Sequence, residues 1–367
     1  MRLLCMSISL VAAACAPNIS PAETPEISAE FSRLATRLDS IIAQEERTGF
    51  AGQVAIALDD EIVFTRAAGF ADAEHHVPMR TDTLIFAASV FKYVTAVTVM
   101  RAVEDGEISL NVPMNTFLQT DSAELDTITL QDILSHTSGL GSSYAAESET
   151  SRDGALTAIL ATFDERADPG VFRYSNSAYD LVGIMLETVY KAPFENVVEN
   201  LTGIHEYAVP FAFWSEIDLL DPHVRAQPIR PTPPELLNRN YGTMAAGGGL
   251  FSAESLVNWQ IAVKREILTP ESLQMLFTPR ASMRIGDATF GGFLVDHPQL
   301  GTVFQARGYE DRGENTLLAD VLDCGLTFAV MTTAGPVEGD QRPAYREIIG
   351  NQIFDLALEF CADRTEH

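Results

Sequence analysis

The sequence predicts an α+β fold: a mainly antiparallel sheet flanked by N- and C-terminal helices, with an inserted helical domain. Three observations carry this expectation. Strand-like runs gather near both ends of the chain, helical spacing lies outside those runs, and residues 81–285 read mostly as helix and loop. Pairing the two end regions in one sheet and covering it with the terminal helices buries both apolar sets at once. The expected units are a signal segment over 1–14, a linker over 15–28, an α/β domain from 29–80 with 286–362, and a helical domain over 81–285.

Residues 1–14, MRLLCMSISLVAAA, place one Arg before an apolar run and then small residues, the order of an export signal. The run is shorter than the about 20 residues that a membrane-crossing helix needs. Ala12-Ala13-Ala14-Cys15 resembles a bacterial lipoprotein processing site, so Cys15 is a candidate for lipidation and membrane anchoring, in an exported, periplasmic or lipid-anchored protein. Pro21 and Pro25 among small and polar residues make the following stretch a tether. Next, Phe31, Leu34, Leu38, Ile41 and Ile42 recur at helical spacing. Runs at 53–58 and 62–67, separated by Asp59-Asp60-Glu61, read as a hairpin. Toward the other end, 288–295, 302–307, 315–319 and 326–332 read as strands, and Ile349, Ile353, Leu356 and Phe360 mark a final helix.

Composition narrows the function. The 367 residues are 46% hydrophobic, enough for a sizeable core. Lys and Arg total 24 against 51 Asp and Glu, a formal net charge of −27, which excludes the basic surface that nucleic-acid binding needs. The four cysteines, Cys5, Cys15, Cys324 and Cys361, match neither a disulfide scaffold nor a zinc spacing. Cys324 and Cys361 fit either a disulfide outside the cytoplasm or two buried thiols.

The chemistry begins in FAASVFKYVTAVTVMRAVEDG, residues 86–106. Val90, Val94, Val97 and Met100 share a helical face, and few residues before Arg101 are polar on any face, so the helix is buried nearly all round. A lysine in it is unfavourable unless something uses the charge. Ser89 and Lys92, three apart, lie one turn apart on one side. A serine hydroxyl becomes a useful nucleophile when a base draws off its proton, and an amine is one such base. At a helix amino end, backbone N–H groups also stand beside a developing oxyanion. Ser-x-x-Lys is short enough to occur by chance, so its weight comes from company: TITLQDILSHTSGL at 127–140, Tyr174-Ser175-Asn176 ahead of a helix beginning near Ala178, and AAGGGLFS at 245–252.

With these motifs in order, the chain resembles the serine β-lactamase and penicillin-binding-protein superfamily, in the branch similar to class C β-lactamases, DD-peptidases and related esterases. The resemblance runs from about residue 30 to 360. It implies a β-lactamase/transpeptidase-like fold and a serine hydrolase acting through an acyl-enzyme on β-lactam, D-amino-acid peptide or small ester or amide bonds. Ser89 would be the nucleophile, Lys92 would orient it and share its proton, and Tyr174 would act as general base and then protonate the leaving group. Asn176 would hydrogen-bond the substrate. The oxyanion would sit between the N–H of Ser89 and one on the edge strand near Gly308 and Tyr309. No metal or cofactor is implied, and the partner is a small-molecule or peptide substrate.

One motif departs from the family's pattern. Where relatives carry Lys or His, a small residue and Gly, this chain has Ala306-Arg307-Gly308. Strand alternation turns Arg307 away from the site unless a bulge brings it inward to bind substrate. This departure favours esters over carboxylate-bearing substrates. It also supports an alternative, a weak or inactive relative that binds a peptide or cell-wall fragment.

Other features take structural readings. His136 braces a loop, and His75-His76 lies on a surface turn. Gly141-Ser142-Ser143-Tyr144-Ala145 is one residue short of a nucleophile elbow. Gly247-Gly248-Gly249 lacks the setting of a phosphate loop, and Phe290-Gly291-Gly292-Phe293 is a bent strand. The loop-rich stretch 201–240 is expected to shape the pocket.

Overall fold

A computed structural model describes residues 29–141, 144–163, 168–232, 239–335 and 343–361. The expected signal segment, the linker, Cys15 and the Ser142-Ser143 pair lie outside these residues. Helix α1 (Ala29–Thr48) leads into the hairpin β1 (Gly52–Leu58) and β2 (Glu61–Ala68). Asp59 and Asp60 make its turn at φ of 50° and 67°, a left-handed conformation that short polar side chains tolerate. The short pair β3 (Phe70–Asp72) and β4 (Val77–Pro78) carries His75 and His76 on an exposed turn, as expected.

The middle of the chain is largely helical. Helix α2 (Phe91–Glu104) is followed by α3 (Asn176–Tyr190), α4 (Tyr241–Gly247) and α5 (Ala253–Ala262), among other helices. It also holds strands that the sequence reading did not foresee. β5 (Ile85–Phe86), β6 (Phe211–Phe213) and β7 (Gly249–Phe251) form a three-stranded sheet in the order β5-β7-β6. At two or three residues each, they are too short to show a period.

The C-terminal region supplies β8 (Ala281–Met283), β9 (Gly286–Ala288), β10 (Phe293–His297), β11 (Gly301–Tyr309), β12 (Asn315–Val321) and β13 (Leu326–Thr332), then α6 (Tyr345–Cys361). The two ends join in one eight-stranded sheet, β2-β1-β13-β12-β11-β10-β9-β8, antiparallel throughout. Its C-terminal strands start at Ala281, somewhat before residue 286. The run 288–295 is not one strand but two. Gly291 turns at φ of 78°, and a Cβ there would stand 2.6 Å from Tyr93 Cα, so this bend presses backbone against α2.

The central strands of the sheet are buried on both faces. On one, Leu38 and Ile42 of α1 and Ile349, Ile353 and Leu356 of α6 pack on Ile56, Leu317, Phe328 and Val330. On the other, Ala55, Phe304, Leu318, Ala329 and Met331 join a core with Val94, Val97 and Trp259 of the helical region. Phe328 and Val330 against Ala329 and Met331 show the two-residue alternation directly. The two C-terminal cysteines are bonded: Cys324, in the β12–β13 turn, joins Cys361 at the end of α6 with Cα atoms 5.5 Å apart.

Candidate active site

Ser89 lies in a 3-10 turn, Ala88–Val90, that runs straight into α2. The residue before it, Ala88, sits at φ of 49°, which is strained for an alanine and persists only because its surroundings fix it. Two neighbours do so. The Ala87 amide donates to the Gly249 carbonyl of β7 at 2.9 Å, and β11 closes from the other side. A Cβ on Gly308 would stand 2.1 Å from the Ala87 carbonyl oxygen, so only glycine lets strand and turn meet.

β11 is not the sheet's edge strand, because it pairs with both β10 and β12. Its pairing with β10 ends at Gln305, however, and leaves Ala306–Gly308 facing the Ser89 turn. The end of an interior strand therefore provides the edge expected from the sequence.

Lys92 is 2% exposed. Its Nζ donates to Ser89 Oγ at 3.1 Å, Asn176 Oδ1 at 2.7 Å and the Ala246 carbonyl at 2.7 Å. Three acceptors match the three N–H bonds of an ammonium group. The same Nζ lies 5.0 Å from the centre of the Tyr174 ring. Tyr174 precedes α3, whose first turn is capped by Ser175: its Oγ accepts from the Ala178 amide at 3.1 Å and donates to the Gly141 carbonyl at 2.7 Å. Asn176, the first residue of α3, thus faces Lys92.

His136 is a brace. Its Nδ1 accepts from the Ser175 amide at 3.1 Å, and its ring packs 4.5 Å from that of Tyr174. Burial first, and Lys92 second, push its pKa down to about 3, so it stays neutral and orients the Tyr174 segment.

The third motif keeps its regular register. Residues 303–309 of β11 pair with 321–315 of β12 without a shift, so the bulge that would turn Arg307 inward is absent. Arg307 Nε donates to Gln305 Oε1 at 2.9 Å, and its Nη1 lies 3.6 Å from Glu347 of α6. It is held on the face away from Ser89 and does not reach the site. Ala306 is fully buried on the helical side. Arg346 Nη1 donates to the Gly308 carbonyl, while its Nε donates to Glu347 at 3.1 Å. Tyr309 ends the strand, 41% exposed.

Two residues near the site were missed in the sequence. Tyr144 is 55% exposed, yet partial desolvation of its hydroxyl, with Glu310 and Tyr174 nearby, pushes its pKa up to about 12. Glu310 follows directly on β11. Burial raises its carboxyl pKa, and Arg312, 3.7 Å away, and Lys92 oppose that. Neither belongs to a motif with fixed spacing; only their places beside the Tyr174 and Gly308 segments mark them.

A nucleophile, a buried amine, a phenol and an amide gathered at the meeting of a helix and a strand define a serine-hydrolase site. The Beta-lactamase family model matches residues 35–351, and the chain belongs to that family of serine hydrolases. Among curated relatives, it is 24% identical over 272 residues to a putative penicillin-binding protein, PbpX, of Bacillus subtilis, covering 72% of this chain and 68% of that one. It is 41% identical over 122 residues to the esterase EstB of Burkholderia gladioli, covering 31% of each. Its fold is similar to that of the octameric penicillin-binding protein homologue from Pyrococcus abyssi, with a TM-score of 0.74 and 20% identity over 88% of this chain and 77% of that one. It is also similar to the D-amino acid amidase from Ochrobactrum anthropi complexed with L-phenylalanine, with a TM-score of 0.75 and 18% identity over 90% and 99%.

Proposed function

We propose that this chain is an exported hydrolase of small esters and neutral amides, acting through an acyl-enzyme on Ser89. The observation that carries the reading is the set of hydrogen bonds from Lys92 to Ser89, Asn176 and Ala246. With all three N–H bonds directed at acceptors, Lys92 acts as a fixed cation, and Tyr174, beside it, takes the proton from Ser89 Oγ. Oγ then bonds to the substrate carbonyl carbon, the bond to the leaving alcohol or amine breaks, and Tyr174 returns the proton to the leaving group. Water releases the acyl group by the reverse proton path. The backbone at Ser89 and Tyr309 holds the oxyanion, and Asn176 holds the substrate's carbonyl or amide.

The preference for neutral substrates follows from where the cations are. Arg307 is bound to Gln305 and Glu347, and Arg346 to the Gly308 carbonyl and Glu347, while Glu310 lies beside the site. A substrate carboxylate would have to displace these contacts. The likeness to an esterase over part of the chain supports the same preference. The Cys324–Cys361 disulfide supports export, because such bonds persist in oxidising compartments.

Comparing turnover of p-nitrophenyl acetate or butyrate with that of a chromogenic cephalosporin tests the substrate reading. The expected result is a kcat/KM at least about 100-fold higher for the ester, a difference of about 3 kcal/mol in transition-state stabilisation. Equal or reversed values would contradict it. Binding of a cell-wall peptide without turnover of either compound would favour the inactive relative.

A further inference from the structure

The stretch AAGGGLFS, residues 245–252, enters the chemistry above only through the Ala246 carbonyl. Its first half lies along α2 and the turn before it. The Ala245 carbonyl accepts from Thr95 Oγ1 at 2.7 Å, the Ala246 carbonyl from Lys92 Nζ at 2.7 Å, and the Gly249 carbonyl from the Ala87 amide at 2.9 Å. A Cβ on Gly249 would run into the Phe91 ring, so only glycine allows this approach.

Carbonyls at the end of a helix lack donors within it. α4 ends at Gly247. The Gly248 amide takes the Met244 carbonyl at 3.2 Å, and α2 meets the next two, Thr95 at Ala245 and Lys92 at Ala246. Both alanines are buried, so a donor lost from either carbonyl is not replaced by bulk water. The Thr95 hydroxyl also departs from the usual bond of a helical threonine. Such a hydroxyl commonly turns back to the carbonyl four residues earlier, as Thr98 Oγ1 does to Val94 at 2.9 Å. Thr95, one turn after Lys92 on the same side of α2, reaches across to α4 instead.

We propose that Thr95 is a positioning residue for Lys92: by holding the Ala245 carbonyl, its hydroxyl fixes the adjoining Ala246 carbonyl as an acceptor and leaves one Lys92 N–H for Ser89 Oγ. Without that hydroxyl, the Ala245 carbonyl becomes a competing acceptor one residue from Ala246. The bond from Lys92 to Ser89, 3.1 Å against 2.7 Å for the other two, is the one that gives way. The proposal rests on the hydrolase reading of the same site.

Two substitutions in the full chain separate this role from packing. Thr95→Val and Thr98→Val each remove one buried, hydrogen-bonded hydroxyl from α2 and keep the side chain's shape. Both are expected to lower the melting temperature by similar amounts. Thr95→Val is expected to lower kcat for a p-nitrophenyl ester, and the rate of Ser89 labelling by a fluorophosphonate, at least about tenfold, with KM within about twofold of wild type. Thr98→Val is expected to keep all three within about threefold. Thr95→Ser restores the donor, and is expected to return kcat to within about threefold of wild type although it removes a buried methyl group. Turnover by Thr95→Val within about threefold of wild type overturns the proposal, as does an equal loss in Thr98→Val or no recovery in Thr95→Ser. Should Thr95→Val fail to fold, Thr95→Ala against Thr95→Ser carries the same comparison. If the wild-type protein itself takes no fluorophosphonate at Ser89, the hydrolase reading has failed, and the role of Thr95 falls with it. A wild type that is labelled, beside a Thr95→Val variant that keeps its rate, sinks the role of Thr95 alone.

Discussion

Removing the Cys324–Cys361 crosslink with a Cys324→Ser/Cys361→Ser pair should destabilise the protein by an amount that follows from the chain closed by the bond. The cysteines are 37 residues apart. Loop-closure entropy for that length is about 13 cal/mol/K, or about 4 kcal/mol at 25 °C. The Cα separation of 5.5 Å is ordinary for a disulfide, so most of this should be realised. Unfolding releases about 2.1 cal/mol/K per residue, so for 367 residues the shift in melting temperature is about 5 °C. Calorimetry of the oxidised protein and the double-serine variant measures it. Ester turnover should be unchanged at 25 °C, because the bond closes the far end of β12 from the residues beside Gly308. Equal midpoints, or two free thiols in protein purified under oxidising conditions, would refute the reasoning.

Lys92→Met should lower kcat by about 10²–10⁴ while leaving the fold intact, because it removes the cation beside Ser89 and Tyr174 and a buried charge with it; stopped-flow acylation and a thermal melt report the two effects separately. Gly308→Val should abolish acylation, since even a Cβ would stand 2.1 Å from the Ala87 carbonyl oxygen; labelling of Ser89 with a fluorophosphonate checks this. Glu314 is 3% exposed, and burial raises its carboxyl pKa to about 7. Its folded pKa is above its unfolded one, so stability is lost as pH rises from about 4.5 through 7. Glu314→Gln should therefore stabilise the protein at pH 8 by up to about 3 kcal/mol and do nothing similar at pH 4.5, as read by urea unfolding at both values.

The parts of the fold written in a repeating pattern were legible in the sequence. The hairpin of β1 and β2, the strands β11 to β13 and the terminal helices all show a period that their burial then uses. So was the buried helix carrying Lys92, because an apolar run with one cation leaves little else to infer. What was not legible depends on neighbours distant in sequence. The break between β9 and β10 is made by Gly291 meeting Tyr93, some 200 positions earlier in the chain. The β5-β7-β6 sheet is built from segments of two or three residues. Arg307 was readable by alternation alone, and the regular register leaves it where alternation puts it, bound to Gln305 and Glu347. Tyr144 and Glu310 carry no motif. They matter through their proximity to the Tyr174 and Gly308 segments, which only the folded chain reveals.

The most direct test of the account is to treat the purified protein with a fluorophosphonate and locate the adduct by peptide mass spectrometry. One adduct per chain on Ser89, lost in Ser89→Ala and slowed in Lys92→Met, is the predicted result. A folded protein that takes no adduct, or takes it at another serine, would contradict the claim that Ser89 is the nucleophile.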